Sequence, residues 1–158
     1  MHADKRAAKI KGRGPMGKEV VFGLLDRETG KIHVHHVTNR RKGDLQPIIR
    51  EHVAPGAEIN TDALKSYDGL AEYTHKVIDH AEAYVDGTVH TNRMENFWSL
   101  LKRTIKGTYV SCEPFHLFRY LDEQAFRYNE RHLSDRERFE KVLGAISGKR
   151  LTYARVKG

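Results

Sequence analysis

From residue 19 the chain settles into short runs with the apolar patterning of β-strands. "EVVFGLLDR" and "KIHVHHVTN" are both rich in β-branched residues, and "ETG" joins them with Gly30 at the turn. That pattern predicts a hairpin. In the second strand Ile32, Val34 and His36 alternate with His33, His35 and Val37, so its two faces carry different sets. "GDLQPIIREHV" predicts a short helix with Asp44 near its start, and Pro47 restricts where the first turn lies. "GAEINTDALKSYDGL" predicts a brief strand over 57–61, Asp62 at its C-terminal end and a helical turn beyond. "HKVID" predicts another strand, and "HAEAYVDGTVHTN" a polar connection.

Helices follow. In "HTNRMENFWSLLKRTIKG" Met94, Phe97, Leu101 and Ile105 share one face, and Thr91 or Asn92 can cap the start. In "PFHLFRYLDEQAFRYNER" the stripe is Phe118, Leu121, Ala125 and Tyr128. In "SDRERFEKVLGAISG" Ser134 can cap, Gly148 ends the run, and Phe139, Val142, Leu143 and Ile146 are predicted to face inward.

Composition narrows the class. A chain of 158 residues, 39% hydrophobic and 31% charged, suits one globular domain with a real core. It holds no run of about 18 apolar residues, so nothing is expected to span a membrane. The basic start lacks the apolar stretch of a signal peptide. Cys112 is the single cysteine, which excludes an internal disulfide framework and a multi-cysteine zinc site and fits a reducing cytoplasm. A net charge of +7 favours polyanions. Residues 1–18 read as a basic arm, with Lys5, Arg6, Lys9, Lys11, Arg13 and Lys18 set among Gly12, Gly14, Pro15 and Gly17. Such an arm either contacts DNA or another subunit, or is a solvated tail.

Several residues could carry chemistry. His33 and His35 share a strand face, as metal ligands or as the cover of a partly wet surface. Asp62, at a strand's C-terminal end, is a candidate ligand or a helix cap. Seven helical residues turn through about 700°, so Glu95 and Lys102 project nearly the same way, about 10.5 Å apart along the axis. That arrangement is either helix-dipole complementarity, worth a few tenths of a kcal/mol per charge, or part of a phosphoryl-transfer site. In the second case Glu95 helps hold a divalent cation and Lys102 a phosphate. Oxygen ligands suit Mg²⁺ or Mn²⁺, and two-metal chemistry needs several converging carboxylates. Phe97 reads as core, whereas Trp98 suits core packing and base stacking equally. His90 could approach a metal or phosphate, or serve only its loop.

"HTNRMENFWSLLKRTIKGTY" followed by "HLFRYLDEQAFRYNERH", together with "TDALKSYDGL" and "GKEVVFGLLDRETGKI", closely resembles the DDE transposases of the ISXO-two-like insertion-sequence family. The likeness runs from about Lys5 to the region of Tyr153. It implies an α/β fold, a ribonuclease-H-like mixed sheet flanked by helices, with a catalytic domain over 19–153, the basic arm before it and a tail over 154–158. It also implies Mg²⁺- or Mn²⁺-dependent cleavage of DNA at transposon ends and strand transfer into target DNA. The expected protein is a homo-oligomer, cytoplasmic and nucleoid-associated in a prokaryote.

By position, Asp62 matches the family's second catalytic aspartate and Glu95 its third metal ligand, with Lys102 at the family's glutamate-to-lysine spacing. His90, Asn92 and Asn96 are the possible shell, and Arg93, Trp98, Lys102, Arg103 and Lys106 the expected DNA contacts. Glu123 and Arg127 match a family pair, although on a bare helix they make an ordinary ion pair. The family's first aspartate, in a strand reading like "DETY", has no counterpart here. Asp26, at the hairpin tip, should lie at an edge away from the first strand's midpoint, and Asp4, Asp79 and Asp86 are possible in distance but have no positional support as its replacement. The resemblance therefore implies a truncated copy without its first core strand, weakly active or inactive. The alternative is a non-catalytic DNA-binding or dimerising remnant. A lost first strand would leave a polar strand edge open, predicting homodimerisation or low solubility.

Overall fold

The computed structural model describes residues 18–77 and 92–157. The hairpin forms as the pattern predicts: β1 (Val20–Leu25) and β2 (Ile32–Val37) pair antiparallel, from Val20 opposite Val37 to Leu25 opposite Ile32. Its turn is built around Asp26. The carboxylate accepts from the Glu28 and Thr29 N–H groups at 2.9 and 3.3 Å and from the Thr29 hydroxyl at 2.5 Å. Gly30 closes the turn at φ 68°, where a side chain would be strained. Asp26 is thus committed to the turn, and the Thr29 hydroxyl above all holds its carboxyl below the usual range.

The hairpin is covered on both faces, which explains why β1 reads as a nearly continuous apolar run. Val20, Phe22, Leu24 and Val37 pack in one cluster with Leu45, Ile49, Leu70 and Tyr73. Val21, Leu25, Ile32 and Val34 pack in a second with Phe97, Leu101, Leu121 and Tyr128. Leu45 and Ile49 come from α1 (Lys42–His52), which carries Pro47 inside it. The ring costs the helix one main-chain hydrogen bond. Gln46, 3% exposed, ties α1 to the turn after Asp62 by donating to the Ser66 and Asp68 carbonyls at 3.1 and 3.0 Å.

Beyond α1, β3 (Glu58–Thr61) lies parallel to β4 (Thr74–Val77), with a short 3-10 turn at Lys65–Tyr67 between them. The fold is therefore mixed α/β. In place of the continuous mixed sheet expected, the described strands form two separate two-stranded sheets, β1–β2 and β3–β4. Two-stranded sheets are marginal alone and depend on the helices and turns packed against them.

Helix α2 (Asn92–Gly107) and helix α3 (Leu117–Asn129), the latter led by a 3-10 turn at Pro114–His116, cover the second hairpin face. Asn129 fastens α3 to β2: its side-chain oxygen accepts from the Ile32 N–H at 2.8 Å and its amide donates to the Ile32 carbonyl at 2.9 Å. A side-chain amide thereby supplies the pairing that another strand would give Ile32. Leu121 and Tyr128 are buried as the stripe predicts, but Phe118 is 43% exposed.

The larger departure is α4 (Asp135–Ile146). Ser134 caps it in a full capping box and Gly148 follows its end at φ 72°. Yet Phe139, Val142, Leu143 and Ile146 are 62, 43, 46 and 54% exposed rather than inward-facing. Periodicity locates an apolar face and says nothing of what lies against it. The helix is joined to α3 by the Lys141–Glu130 ion pair at 2.6 Å. The last helix, α5 (Tyr153–Lys157), is tied back by Arg119, whose Nη2 donates to the Arg155 carbonyl at 2.7 Å.

Candidate functional site

Asp62 stands directly after β3, at the C-terminal end of the parallel pair. Its Oδ1 accepts from the Leu64 N–H at 3.3 Å, a local turn bond. The 3-10 turn that follows is capped by Leu64 without a side-chain bond, so the helix-cap role considered for Asp62 is not what it performs. The carboxylate lies near Tyr67, whose phenol is pushed up to about 12, first by burial and then by the Asp62 charge. Beside it the Thr61 hydroxyl is 2.7 Å from His75 Nε2, linking the ends of β3 and β4.

Glu95 lies in the first turn of α2, where the helix dipole favours an anion. It is exposed, as are Ser99, Lys102, Arg103 and Lys106. Opposite them Met94, Phe97, Trp98, Leu101 and Ile105 enter the second core cluster. The polar face read from the sequence is therefore the solvent face. Arg93 is pinned to the hairpin tip: its Nη1 donates to the Arg27 carbonyl at 3.2 Å. The Tyr128 hydroxyl in turn donates to the Arg93 carbonyl at 3.2 Å.

Trp98 resolves toward packing. Its ring lies edge-on to Phe97 at 5.2 Å, and a Cβ built on Gly23 would sit 2.7 Å from its Cζ2. Gly23 is thus the space the indole occupies, in the middle of β1.

The two candidate metal ligands come from separate elements, β3's end and α2's first turn. Among the described residues no group of three His, Cys, Asp or Glu side chains is placed to hold a metal ion. That covers the histidines of β2 as well. His52, at the end of α1, brings its ring to 5.0 Å from His33 and 4.8 Å from His35, a third imidazole that no spacing rule showed. His90, Asp4, Asp79, Asp86, the side chain of Asn92 and the basic arm up to Gly17 lie outside the described residues. Asn96 lines a groove of about 280 Å³ between α2 and α3 with Leu100, Thr104, Gln124, Arg127 and Arg131.

Sequence reasoning also missed Arg131. Its guanidinium lies 4.5 Å from the centre of the Tyr128 ring and donates to the Tyr128 and Gly30 carbonyls at 2.8 and 3.4 Å. With Arg93 it brings two cations to the hairpin tip. Glu123 and Arg127 do form their ion pair, at 2.9 Å, and the Tyr109 hydroxyl donates to the other Glu123 oxygen at 2.6 Å. The Tyr109 bond, followed by Arg127, holds the Glu123 carboxyl below its ordinary range.

The fold and these residues describe a basic mixed α/β domain with an acid closing a parallel strand and an acid-to-lysine face on α2. The ISXO2-like transposase domain profile matches residues 2–129, and the chain belongs to that family. It is 35% identical over 102 residues to an uncharacterized transposase-like protein of Haemophilus influenzae, covering 63% of this chain and 81% of that protein. It is 30% identical over 104 residues to an uncharacterized protein in transposable element ISH50 of Halobacterium salinarum, covering 62% of this chain but 35% of that protein. The chain therefore spans about a third of the length of the second relative. No solved structure matches it. No helix among the described residues is long and apolar enough to cross a membrane.

Proposed function

We propose that this chain is an insertion-sequence transposase domain of ribonuclease-H-like type that binds DNA and, as it stands, cleaves it weakly or not at all. The observation that carries the reading is the family match over residues 2–129, and on the resemblance Asp62 and Glu95 would be its acids. Binding would rest on the exposed cations of α2. Lys102, Arg103 and Lys106 carry no ion pair to a described residue, and a charge of +7 adds sequence-independent attraction.

Asp62 and Glu95 are oxygen donors of the kind Mg²⁺ or Mn²⁺ takes, and the metal would supply charge stabilisation for in-line attack on a phosphodiester. The described residues do not complete such a ligand set. No step is therefore derived through the metal. What the chain's own residues do is hold phosphate along α2 and present two carboxylates. Without a third acid beside them among the described residues, these two give two cations too little anionic charge, so weak affinity and weak turnover are expected.

The test pairs DNA binding with cleavage. Lys102→Ala with Arg103→Ala should weaken binding to any duplex and lower the slope of log affinity against log salt by about 2. Cleavage in Mg²⁺ or Mn²⁺ should be near background, and any residual cleavage should vanish in Asp62→Asn and Glu95→Gln while binding persists. Robust metal-dependent strand transfer would refute the weak-activity reading. Binding indifferent to Lys102 and Arg103 would refute the assigned DNA face.

A further inference from the structure

Two guanidiniums meet at the hairpin tip. A Cβ built on Gly30 would lie 3.2 Å from Arg131 Nη2 and 3.5 Å from Arg93 Nη1, so both cations sit beside one point and close over a buried glycine. Each is held there by neutral acceptors. Arg93 donates to the Arg27 carbonyl at 3.2 Å. Arg131 donates to the Tyr128 carbonyl at 2.8 Å, and its guanidinium lies 4.5 Å from the centre of the Tyr128 ring. Carbonyls and a ring face fix an arginine in place without cancelling its charge. The acids of the adjoining segments are engaged elsewhere: Asp26 closes the turn and Glu130 pairs with Lys141. Neither Arg93 nor Arg131 is ion-paired with an acid among the described residues, Glu28 of the same turn included.

Like charges held together in fixed positions, with no acid between them, are arranged to take an anion. We infer that Arg93 and Arg131 jointly bind one phosphate group of a DNA backbone, which rests on the reading of the chain as a DNA-binding domain. A guanidinium keeps several N–H donors after one is spent on a carbonyl, and a phosphate has oxygens enough to accept from two forks at once. Both side chains are exposed, so the site is open on its outer side and admits a continuous strand. It is separate from the cations of α2 assigned above. Arg93 and Lys102 are nine residues apart, about 900° around the helix, and so project nearly opposite ways. Arg131 also lies beyond the matched residues 2–129. Phosphates held on two sides of α2 fix its position on the duplex, which a single basic face leaves free to slide.

Fluorescence anisotropy of a labelled duplex of arbitrary sequence, titrated with the full chain at several salt concentrations, tests it. Gly30→Asp sets a carboxylate between the two guanidiniums and leaves both in place. Gly30→Asn is its neutral match, and both side chains tolerate the positive φ of this position. Relative to Gly30→Asn, Gly30→Asp should weaken binding about tenfold and lower the slope of log affinity against log salt by about 1. Arg93→Gln and Arg131→Gln should each lower that slope by about 1, and together by no more than either alone, because one phosphate is shared. Binding indifferent to Gly30→Asp, or additive losses with a slope change of about 2, overturns the shared site. If such binding still depends on Lys102 and Arg103, the reading of the α2 face stands without it. No duplex binding at all overturns both. Affinity lost only in variants that have also lost Tm assigns the two arginines to holding the tip, and overturns the site. Inorganic phosphate that raises the Tm of the wild type but not of Gly30→Asp, with duplex binding equal in the two, assigns the site to a free ion and overturns the backbone contact.

Discussion

Gly23→Ala measures whether Trp98 belongs to the core. The added Cβ would lie 2.7 Å from Trp98 Cζ2, 2.9 Å from Cη2 and 3.2 Å from Met94 Cε. The first two distances lie inside van der Waals contact with a ring that also packs edge-on to Phe97, so the indole or α2 must shift. Overpacking of that kind costs about 1–3 kcal/mol. The lost freedom of glycine in the unfolded chain returns about 0.4–1 kcal/mol. The net expectation is a loss of about 1–2 kcal/mol, or about 2–8 °C in Tm for a domain of this size. Trp98 is the single tryptophan, so urea unfolding followed by its emission reads stability and environment together. Gly23→Ala should lower the midpoint and shift the native spectrum toward that of exposed indole. Combined with Trp98→Leu, which vacates the space, it should cost less, giving a coupling of about 0.5–3 kcal/mol. Wild-type stability with an unchanged spectrum would refute the packing. A loss of single-stranded DNA affinity of about 1–3 kcal/mol on Trp98→Leu would return the indole to a base-stacking role.

Other consequences can be checked alongside. Asn129→Ala leaves the Ile32 N–H and carbonyl without their partner and should cost about 1–3 kcal/mol in urea unfolding, with faster amide exchange at Ile32. Burial first, then the His52 ring, holds His35 below its ordinary 6.5, with His33 acting the same way and Glu51 and Asp122 opposing. The unfolded chain therefore binds the extra proton first, and stability contributed by neutral His35 is lost as pH falls from 6.5 toward the lower native value. His35→Gln should flatten Tm against pH in that window while His33 and His52 remain. Glu123 has the opposite character. Its depressed carboxyl adds stability above 4.5 that is lost as pH falls through the native value. Tyr109→Phe removes the main cause, so it should cost about 1 kcal/mol or less at neutral pH, discounted for exposure, and nothing in strong acid.

Local elements were legible because they are decided locally. Apolar, β-branched runs in "VVFGLL" and "IHVHHV" and a glycine able to take positive φ suffice to specify the hairpin. The Ser134 box and the buried Phe97 and Leu101 are likewise consequences of spacing. What spacing cannot carry is the partner of a face. The stripe of α3 and that of α4 have the same period, yet Leu121 is buried under the hairpin while Leu143 is open. Both strands of the hairpin, in turn, have cover on two sides, and which helix lies on which side is settled only when α2 and α3 return across more than fifty residues.

The same limit governs the site. A carboxylate's position along the chain can be matched to a family, but metal binding depends on several carboxylates meeting within a few ångströms, a property of the packed whole. Asp62 illustrates the difference: its place after β3 was readable, while its Oδ1 bond to Leu64 shows a local turn role for the same group. Asp26 goes further. It is an acid beside a strand end, yet its carboxylate accepts from Glu28 and Thr29, so its charge is used to close a turn. An acid already bound to several donors has lost the lone pairs and the negative potential that a cation would need, and recruiting it would open the hairpin. The acid with fewer such bonds is the better ligand, which ranks Asp62 above Asp26 on hydrogen bonding alone. On that ground Asp26→Asn should unsettle the β1–β2 turn and leave metal affinity untouched, whereas Asp62→Asn should do the reverse. Urea unfolding and Mn²⁺ titration of the two variants separate the roles, and a metal response to Asp26→Asn would reverse the ranking.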